Sequence, residues 1–406
     1  MWSGFALASS GDGLAYGAVP LLAVFVDPHP FAVSAVAAAD TLPWLLLAVP
    51  AGHLADRADR SRVIAVTNAL RAVAMLAAAA LIVHYRISLA LLIIIVLLNA
   101  SGRAIYFSSV QAMTPGFVDT RDLEQANGIL SGTEAGAENL AGPVVGTALF
   151  SAAKALPFLA DGFALLVSCL PFIGFRSKEP APEDGAPASS PSMLEGVRLL
   201  FADRRLRVLL FLVASLAGLQ GMESGVLVLL ATTKWGVSEG AYGLFLATGA
   251  AGALLGSFLA DGIARRFGGA RTLIAAAIAS GVGYLVMASA KSWMLAGPAF
   301  AVVGLAVGAG SVVSMSLRQR LTPDDLMGRV GGAWRGLVWG AAPLGALIAG
   351  GVATTWGIRV PLVVAGIAQC AVALVLAHPL LKSIEDTRRA RRVAQRVRSS
   401  PEQSLR

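Results

Sequence analysis

The sequence predicts an all-α integral membrane protein whose twelve transmembrane helices form two pseudo-symmetric bundles of six. Three observations carry that expectation. The 406 residues are 56% hydrophobic and 14% charged, with a mean hydropathy of +0.72, whereas a water-soluble domain carries about 25% charged residues. Apolar runs of about 20 residues, enough to cross about 30 Å of hydrocarbon as helix, recur along the whole chain. They are continuous rather than alternating, which favours helices over a closed barrel. The two halves also echo each other. Leu54-Ala55-Asp56 returns as Leu259-Ala260-Asp261, and Thr114-Pro115 before Asp122-Leu123 returns as Thr322-Pro323 before Asp325-Leu326. A half-chain period of this kind places a site between two homologous bundles.

The expected spans are about 3–27, 31–55, 63–83, 89–111, 124–150 and 157–175, then 207–231, 239–260, 271–290, 293–317, 328–354 and 358–381. The first apolar run continues as a span, so no cleavable signal peptide is expected. The N-terminal bundle is thus 1–175. Residues 176–206 form a cytoplasmic linker. Its opening, "RSKEPAPEDGAPASSPS" from Arg176, cannot build a core. After it, Leu194, Val197 and Phe201 recur at helical spacing and suit a short amphipathic helix on the membrane surface. The C-terminal bundle is 207–381, and a basic tail, 382–406, follows with eight Lys or Arg. Of the 32 Lys and Arg, 24 fall in the tail and the loops after even-numbered spans and five in the opposite loops. Arg71, Arg103 and Arg335 lie within spans. The positive-inside rule then puts both termini in the cytoplasm. The tail's position favours anionic lipid over nucleic acid as its partner. Cys169 and Cys370 sit in apolar runs as buried thiols, and the four histidines show no ligand spacing, so neither disulfide nor metal is expected.

The stretch "GHLADRADRSR", Gly52 to Arg62, gathers five charges into seven residues behind a segment that has no Lys or Arg. With twelve spans and a central loop, it resembles the major facilitator superfamily and its Gly-x-Leu-Ala-Asp-Arg-x-Gly-Arg signature between spans 2 and 3. The match is Gly52, Leu54, Ala55, Asp56, Arg57 and Arg60; the departure is Asp59, where the family often has glycine. "GDGLAYGAVPLL" at Gly11, "LPWLLLAVPAGHLADR" at Leu42 and "LTPDDLMGRVGGAWRGLVWGAAPLGALIAGG" at Leu321 are similar to the bacterial exporter branch that includes the enterobactin exporter. Family members usually carry a basic stub before span 1, whereas this chain starts at Met1-Trp2, so the stub is dispensable or the start lies upstream. Physically, Gly52 allows close helix approach, and Asp56 ends its helix where it can pair with an arginine or face a helix N-terminus. The resemblance suggests the second, with span 11 as partner and Arg329 as an added counter-charge. The cluster then reads as a cytoplasmic gate latch; the plainer alternative is a topology signal.

Ionisable groups at membrane depth are costly and are kept for function more often than not. The candidates for proton or substrate binding are Asp12, Asp40, Arg103, Glu134, Glu138 and Glu223. Asp12 lies between two glycines. Glu134 and Glu138, four apart, share one α-helical face, and two such carboxylates should hold at least one proton. Arg103 can neutralise one of them and be displaced by a cationic substrate. Asp12 and Asp40 can alternatively pair with Arg71 or Arg103 as structural bridges. Asp161 and Glu239 are expected at outer interfaces. Span 5 continues into Gly142-Pro143-x-x-Gly146, which partly resembles the antiporter motif of drug and solute exporters; a plain Gly-Pro kink is the alternative.

No phosphate-binding Gly-x4-Gly-Lys-Ser/Thr loop and no nucleophile–base arrangement occurs, so ATP-driven transport and enzymatic activity are not expected. The expectation is a secondary transporter without cofactor, a monomer in the bacterial inner membrane. It would export a small organic solute, such as a drug, siderophore or secondary metabolite, in exchange for protons. Its site would lie between the halves, lined by spans 1, 4, 5, 7 and 11. An importer or uniporter of the same fold, and a non-transporting scaffold or sensor, are the alternatives.

Overall fold

A computed structural model of the chain describes residues 2–57, 59–114, 118, 122–172, 193–323 and 326–399. The side chains of 48–57, 124, 193–194 and 383–399 lie outside that description. The described residues are helical almost throughout, with no β-strand among them. Helices α1 (Trp2–Val26), α2 (Pro30–Arg57), α3 (Arg60–Val83) and α4 (Leu89–Met113) follow one another through short turns. Asp59 starts α3. Its carboxylate accepts from the backbone N–H groups of Ser61 and Arg62, at 3.1 and 3.4 Å, which no helical carbonyl reaches. An aspartate where the resembling family has glycine therefore serves as a helix cap.

The next helical stretch changes character along its length: α5 (Leu123–Thr133), a π-helical segment (Glu134–Ala141), then α6 (Gly142–Ala152). Pro143 supplies the reason. It has no N–H to bond the carbonyl four residues back, and its ring crowds that turn. The preceding N–H, of Gly142, reaches back five residues to Ala137, and the backbone widens accordingly. The first half ends with α7 (Leu156–Cys169) and a 3-10 turn (Leu170–Phe172).

A short helix, α8 (Met193–Ala202), precedes α9 (Arg204–Thr233), which Asp203 caps through the Arg205 N–H at 2.7 Å. Then come α10 (Tyr242–Phe267), α11 (Gly269–Ser289), α12 (Trp293–Leu321), α13 (Met327–Trp339), α14 (Ala341–Trp356) and α15 (Val360–Ser399). Gly268 alone joins α10 to α11, at φ +89°, a conformation that strains any side chain. Span 11 is broken at Gly340 between α13 and α14, and the helix of span 12 runs on beyond 381 through most of the basic tail.

Among the described residues ten helical stretches are long and apolar enough to cross a membrane, which makes this a multi-pass membrane protein. The two other expected spans are helical as well, but Leu156–Phe172 is shorter, and the stretch around Glu134 and Glu138 is polar and π-helical. Small residues set the closest packing. Gly252 and Gly256 of α10 lie on the carbonyls of Ala301 and Leu305, and Gly304 and Gly308 of α12 on those of Gly249 and Ala253. A Cβ at any of these would overlap backbone. Lipid tails are as apolar as leucine, so close approach of this kind, rather than hydrophobic burial, holds such helices together.

Candidate functional site

Asp12 lies midway along α1, 4% exposed, and its carboxylate accepts from the Arg71 guanidinium of α3, itself 1% exposed. Arg71 Nε donates to Asn99 Oδ1 at 3.0 Å and Nη1 to Asn68 Oδ1 at 3.2 Å. Its guanidinium carbon is 5.9 Å from the Tyr106 ring centroid. Asn68 Nδ2 in turn donates to Ser168 Oγ on α7 at 2.9 Å. Gly102 of α4 leaves room for the arginine, since a Cβ there would meet Arg71 Cγ at 2.5 Å. A lone charge buried this deeply would cost several kcal/mol. Here one carboxylate and two amide oxygens share the guanidinium's donors.

One turn along α4 from Asn99, Arg103 forms a second and wetter cluster. Its Nη1 donates to Glu138 Oε1 at 3.0 Å, and its Nη2 lies 3.5 Å from Asp40 Oδ2 on α2. The guanidinium carbon is 5.9 Å from the Trp44 ring centroid, and Trp44 meets Phe107 edge to face. The side chains of Arg103, Glu138 and Asp40 are 17%, 18% and 33% exposed, and Tyr16 in mid-α1 is 45% exposed. Charges at this depth tolerate exposure only towards a polar cavity, so the cluster faces the interior of the bundle rather than lipid.

The π-helix alters the expected carboxylate pair. Glu134 and Glu138 do not stack on an α-helical face; Glu138 reaches Arg103, and Glu134 makes no ion pair among the described residues. Gly142, Pro143 and Gly146 form a joint. Gly142 packs on Gly13 of α1, Gly146 on the Leu14 backbone, and Pro143 on Gly17. On its other side Pro143 touches α10. The Gly243 N–H donates to Thr147 Oγ1 at 3.1 Å, and that hydroxyl lies 3.3 Å from the Gly240 carbonyl. At the same end Lys154 pairs with Glu239, and Ser34 Oγ of α2 donates to the Gly225 carbonyl of α9 at 2.8 Å. Residues from both halves thus meet at one end of the bundle. Glu223 of α9 is 5% exposed, and its Oε1 is buried with no hydrogen-bond partner among the described residues. It lies within electrostatic reach of Tyr16, Tyr242 and Tyr284.

Of the expected gate, the side chains of Gly52, Asp56 and Arg57 lie outside the described residues. Arg60 Nη1 donates to the Ala112 carbonyl at 3.1 Å, tying the start of α3 to the end of α4. Arg329 Nη1 bonds Glu195 Oε2 of α8 at 2.5 Å, a partner the sequence did not suggest. Asp161 is a correction. It does not lie at an outer interface; it is fully buried on the face of α7 that also carries Leu165 and Ser168, against α1 and α3. That spacing of four and then three residues was the available signal.

A model of the transmembrane secretion effector family matches residues 2–400. The chain belongs to that family, within the major facilitator superfamily. This transporter is 23% identical to the enterobactin exporters EntS of Escherichia coli O1:K1 / APEC and of Citrobacter koseri, over 305 residues, 74% of this chain and 72% of theirs. Its structure is similar to that of a bacterial homologue of the human lysosomal transporter Spinster in an inward-facing, occupied conformation, with a TM-score of 0.73 at 13% identity, covering 94% of this chain and 96% of that one. A bacterial homologue of the iron transporter ferroportin in an inward-facing state gives 0.70 at 18% identity, covering 94% and 97%. The nucleoside transporter NupG gives 0.72 at 12% identity, covering 93% and 97%. At these identities the structural likeness is one of fold. The transporter is a multi-pass membrane protein related to an exporter, and it is not an enzyme.

Proposed function

We propose that this transporter is a proton-coupled exporter of small organic solutes in a bacterial inner membrane, working by alternating access between two six-helix bundles, 1–175 and 207–381. The observation that carries the reading is the partly exposed Arg103 between Asp40 and Glu138, one helical turn from the buried Asp12–Arg71 pair. Arg71 and Arg103 pair with Asp12, Asp40 and Glu138, while Glu134, Asp161 and Glu223 form no ion pair among the described residues. So many carboxyls cannot all ionise in a low dielectric, and such a set takes up and releases protons as access alternates. A cationic or zwitterionic solute entering the cavity competes with Arg103 for Asp40 and Glu138. Trp44, Phe107 and Tyr16 offer it aromatic surface. The cargo named for the curated relatives supports a siderophore as one substrate class; amphiphilic drugs and secondary metabolites are the others.

With twelve spans and both termini in the cytoplasm, as the distribution of Lys and Arg supports, the joint of Pro143, Thr147 and Gly243 and the Lys154–Glu239 pair belong to the periplasmic side. This conformation is then shut outward, with the Arg103 cluster approached from within. Asp56 and Arg329 act at the cytoplasmic gate, the basic tail rests on anionic lipid, and the working unit is a monomer. The test is accumulation of fluorescent amphiphiles in an efflux-deficient bacterium, comparing the intact chain with Asp12→Asn, each with and without a protonophore. Lower accumulation abolished by both the substitution and the protonophore is expected. Accumulation lowered equally by the variant and insensitive to the protonophore would refute proton coupling through Asp12.

A further inference from the structure

Among the described residues, Asp161 is a fully buried acid that takes part in no ion pair. It is 0% exposed, and both of its carboxyl oxygens are buried with no hydrogen-bond partner among the described residues. Its carboxyl lies directly over the backbone of Gly11: a Cβ at Gly11 would overlap Oδ1 and come within 3.3 Å of Asp161 Cγ. The next residue of α1 is Asp12, which holds Arg71. Arg71 also donates to Asn99 and Asn68, and Asn68 donates to Ser168 on Asp161's own helix face. The helices packed on α7 are chiefly α1 and α3. Asp161 lies over Gly11, next to Asp12, and a Cβ on its neighbour Gly162 would come within 3.4 Å of the carbonyl of Ala72, next to Arg71. Asp12 and Arg71 are thus the charged groups these helices bring near it, with Arg103 on α4. Tyr106 of α4 lies over Arg71 with its own hydroxyl unpartnered among the described residues. The packed helix α6 carries no ionisable side chain.

We propose that Asp161 is a second proton-carrying carboxyl of this transporter, alternating with Asp12 for the single guanidinium of Arg71. The proposal rests on the proton-coupled reading above and adds the group that stores the proton in this conformation. Two carboxyls around one guanidinium are neutral as a set only with one proton, and a carboxylate without donors at this depth is far costlier than the acid. In this conformation Arg71 belongs to Asp12, so the proton belongs to Asp161. In the exchange the O–H bond of Asp161 breaks and one forms at Asp12. Arg71 keeps its charge and passes from Asp12 to Asp161, and the net charge of the triad stays at zero. Asp12 is the member placed to release that proton, because its neighbour Gly13 packs against the backbone of Glu138, in the wetter cluster. Gly11 is then glycine because the Asp161 carboxyl occupies the space of a side chain.

The test is infrared difference spectroscopy of the purified full-length protein in lipid, reading the carbonyl stretch of protonated carboxyl groups. The wild type is expected to show an acid band that Asp161→Asn removes. Asp12→Asn is expected to remove it too, because the freed Arg71 lets Asp161 ionise. Gly11→Ala, which adds no ionisable group, is expected to shift the same band and keeps the test available should Asp161→Asn fail to fold. An acid band unchanged by Asp161→Asn overturns the proposal, and one unchanged by Asp12→Asn overturns the sharing of Arg71. In everted vesicles, uptake of the fluorescent cation ethidium driven by a pH gradient is expected to fall at least tenfold in Asp161→Asn. Gradient-driven uptake that is present in the wild type and equal in Asp161→Asn overturns this proposal. Absence of any gradient-driven uptake in the wild type counts instead against the exporter reading, and the acid band then decides the state of Asp161 by itself.

Discussion

Replacing Gly243 by alanine adds one methyl group where α10 of one half packs on α6 of the other. That methyl would overlap the Pro143 carbonyl oxygen and lie 2.5 Å from both Pro143 C and Thr147 Oγ1. Carbon atoms prefer about 3.5–4.0 Å, so α6 and α10 must separate by about 1 Å. Separation on that scale also breaks the 3.1 Å hydrogen bond from the Gly243 N–H to Thr147. Overpacking costs about 1–3 kcal/mol and the hydrogen bond about 1 kcal/mol, which together make about 2–4 kcal/mol. If this joint opens during transport, the penalty falls on the closed state alone and shifts the population towards the open one by about 10²-fold. The assay is labelling of Ser34→Cys, which is 0% exposed where α2 meets Gly225 of α9 at the same end, by a membrane-impermeant thiol reagent on intact cells, with Cys169 and Cys370 replaced by serine. Gly243→Ala is expected to raise the labelling rate by roughly that factor. A rate unchanged within about twofold, in a protein that remains monodisperse, would refute the assignment of this joint as a gate.

Three further outcomes are expected. Arg103→Met leaves Asp40 and Glu138 without their shared cation; because the cluster is partly wet, the loss is about 2–3 kcal/mol, at or below the low end for buried pairs, and is read as a lower thermal midpoint in detergent. Ser34→Ala removes the hydrogen bond between α2 and α9 and lowers the same midpoint by the equivalent of about 1 kcal/mol. Asp203→Ala removes the cap of α9 at a cost of about 1 kcal/mol. Burial tends to raise the Asp203 pKa, but hydrogen bonds and charge from Arg205 outweigh it and hold the carboxyl below its usual range. The stabilisation is therefore fully present at neutral pH and fades as pH falls through that lowered value, so wild type and variant should converge in thermal midpoint under acid.

The membrane character, the helices and the family were legible in the residues because each rests on composition or on local spacing. Uninterrupted apolar runs have one viable backbone solution in lipid. Pro143 and Gly142 likewise signalled an irregular helix, although the widening over Glu134–Ala141 depends on which carbonyl each N–H finally meets. The sequence offered Arg71 and Arg103 as partners for Asp12, Asp40 and the Glu134/Glu138 pair, but spacing could not choose between them. Arg71 lies 59 residues from Asp12, and Arg103 lies 35 from Glu138. Helix rotation and tilt decide which of many carboxyls each guanidinium meets, and those are set by packing against neighbours. Asp161 shows this most plainly. Its sequence position suggested an interface, and the packing of α7 on the glycine face of α1 turned it inward beside Asp12. The sequence by itself determined that this is a helical membrane transporter with acids and arginines inside its spans; tertiary structure alone decided which of them share charge. Helix formation is a local property of the chain, whereas ion pairing in lipid depends on angstrom-scale distances between helices far apart in sequence.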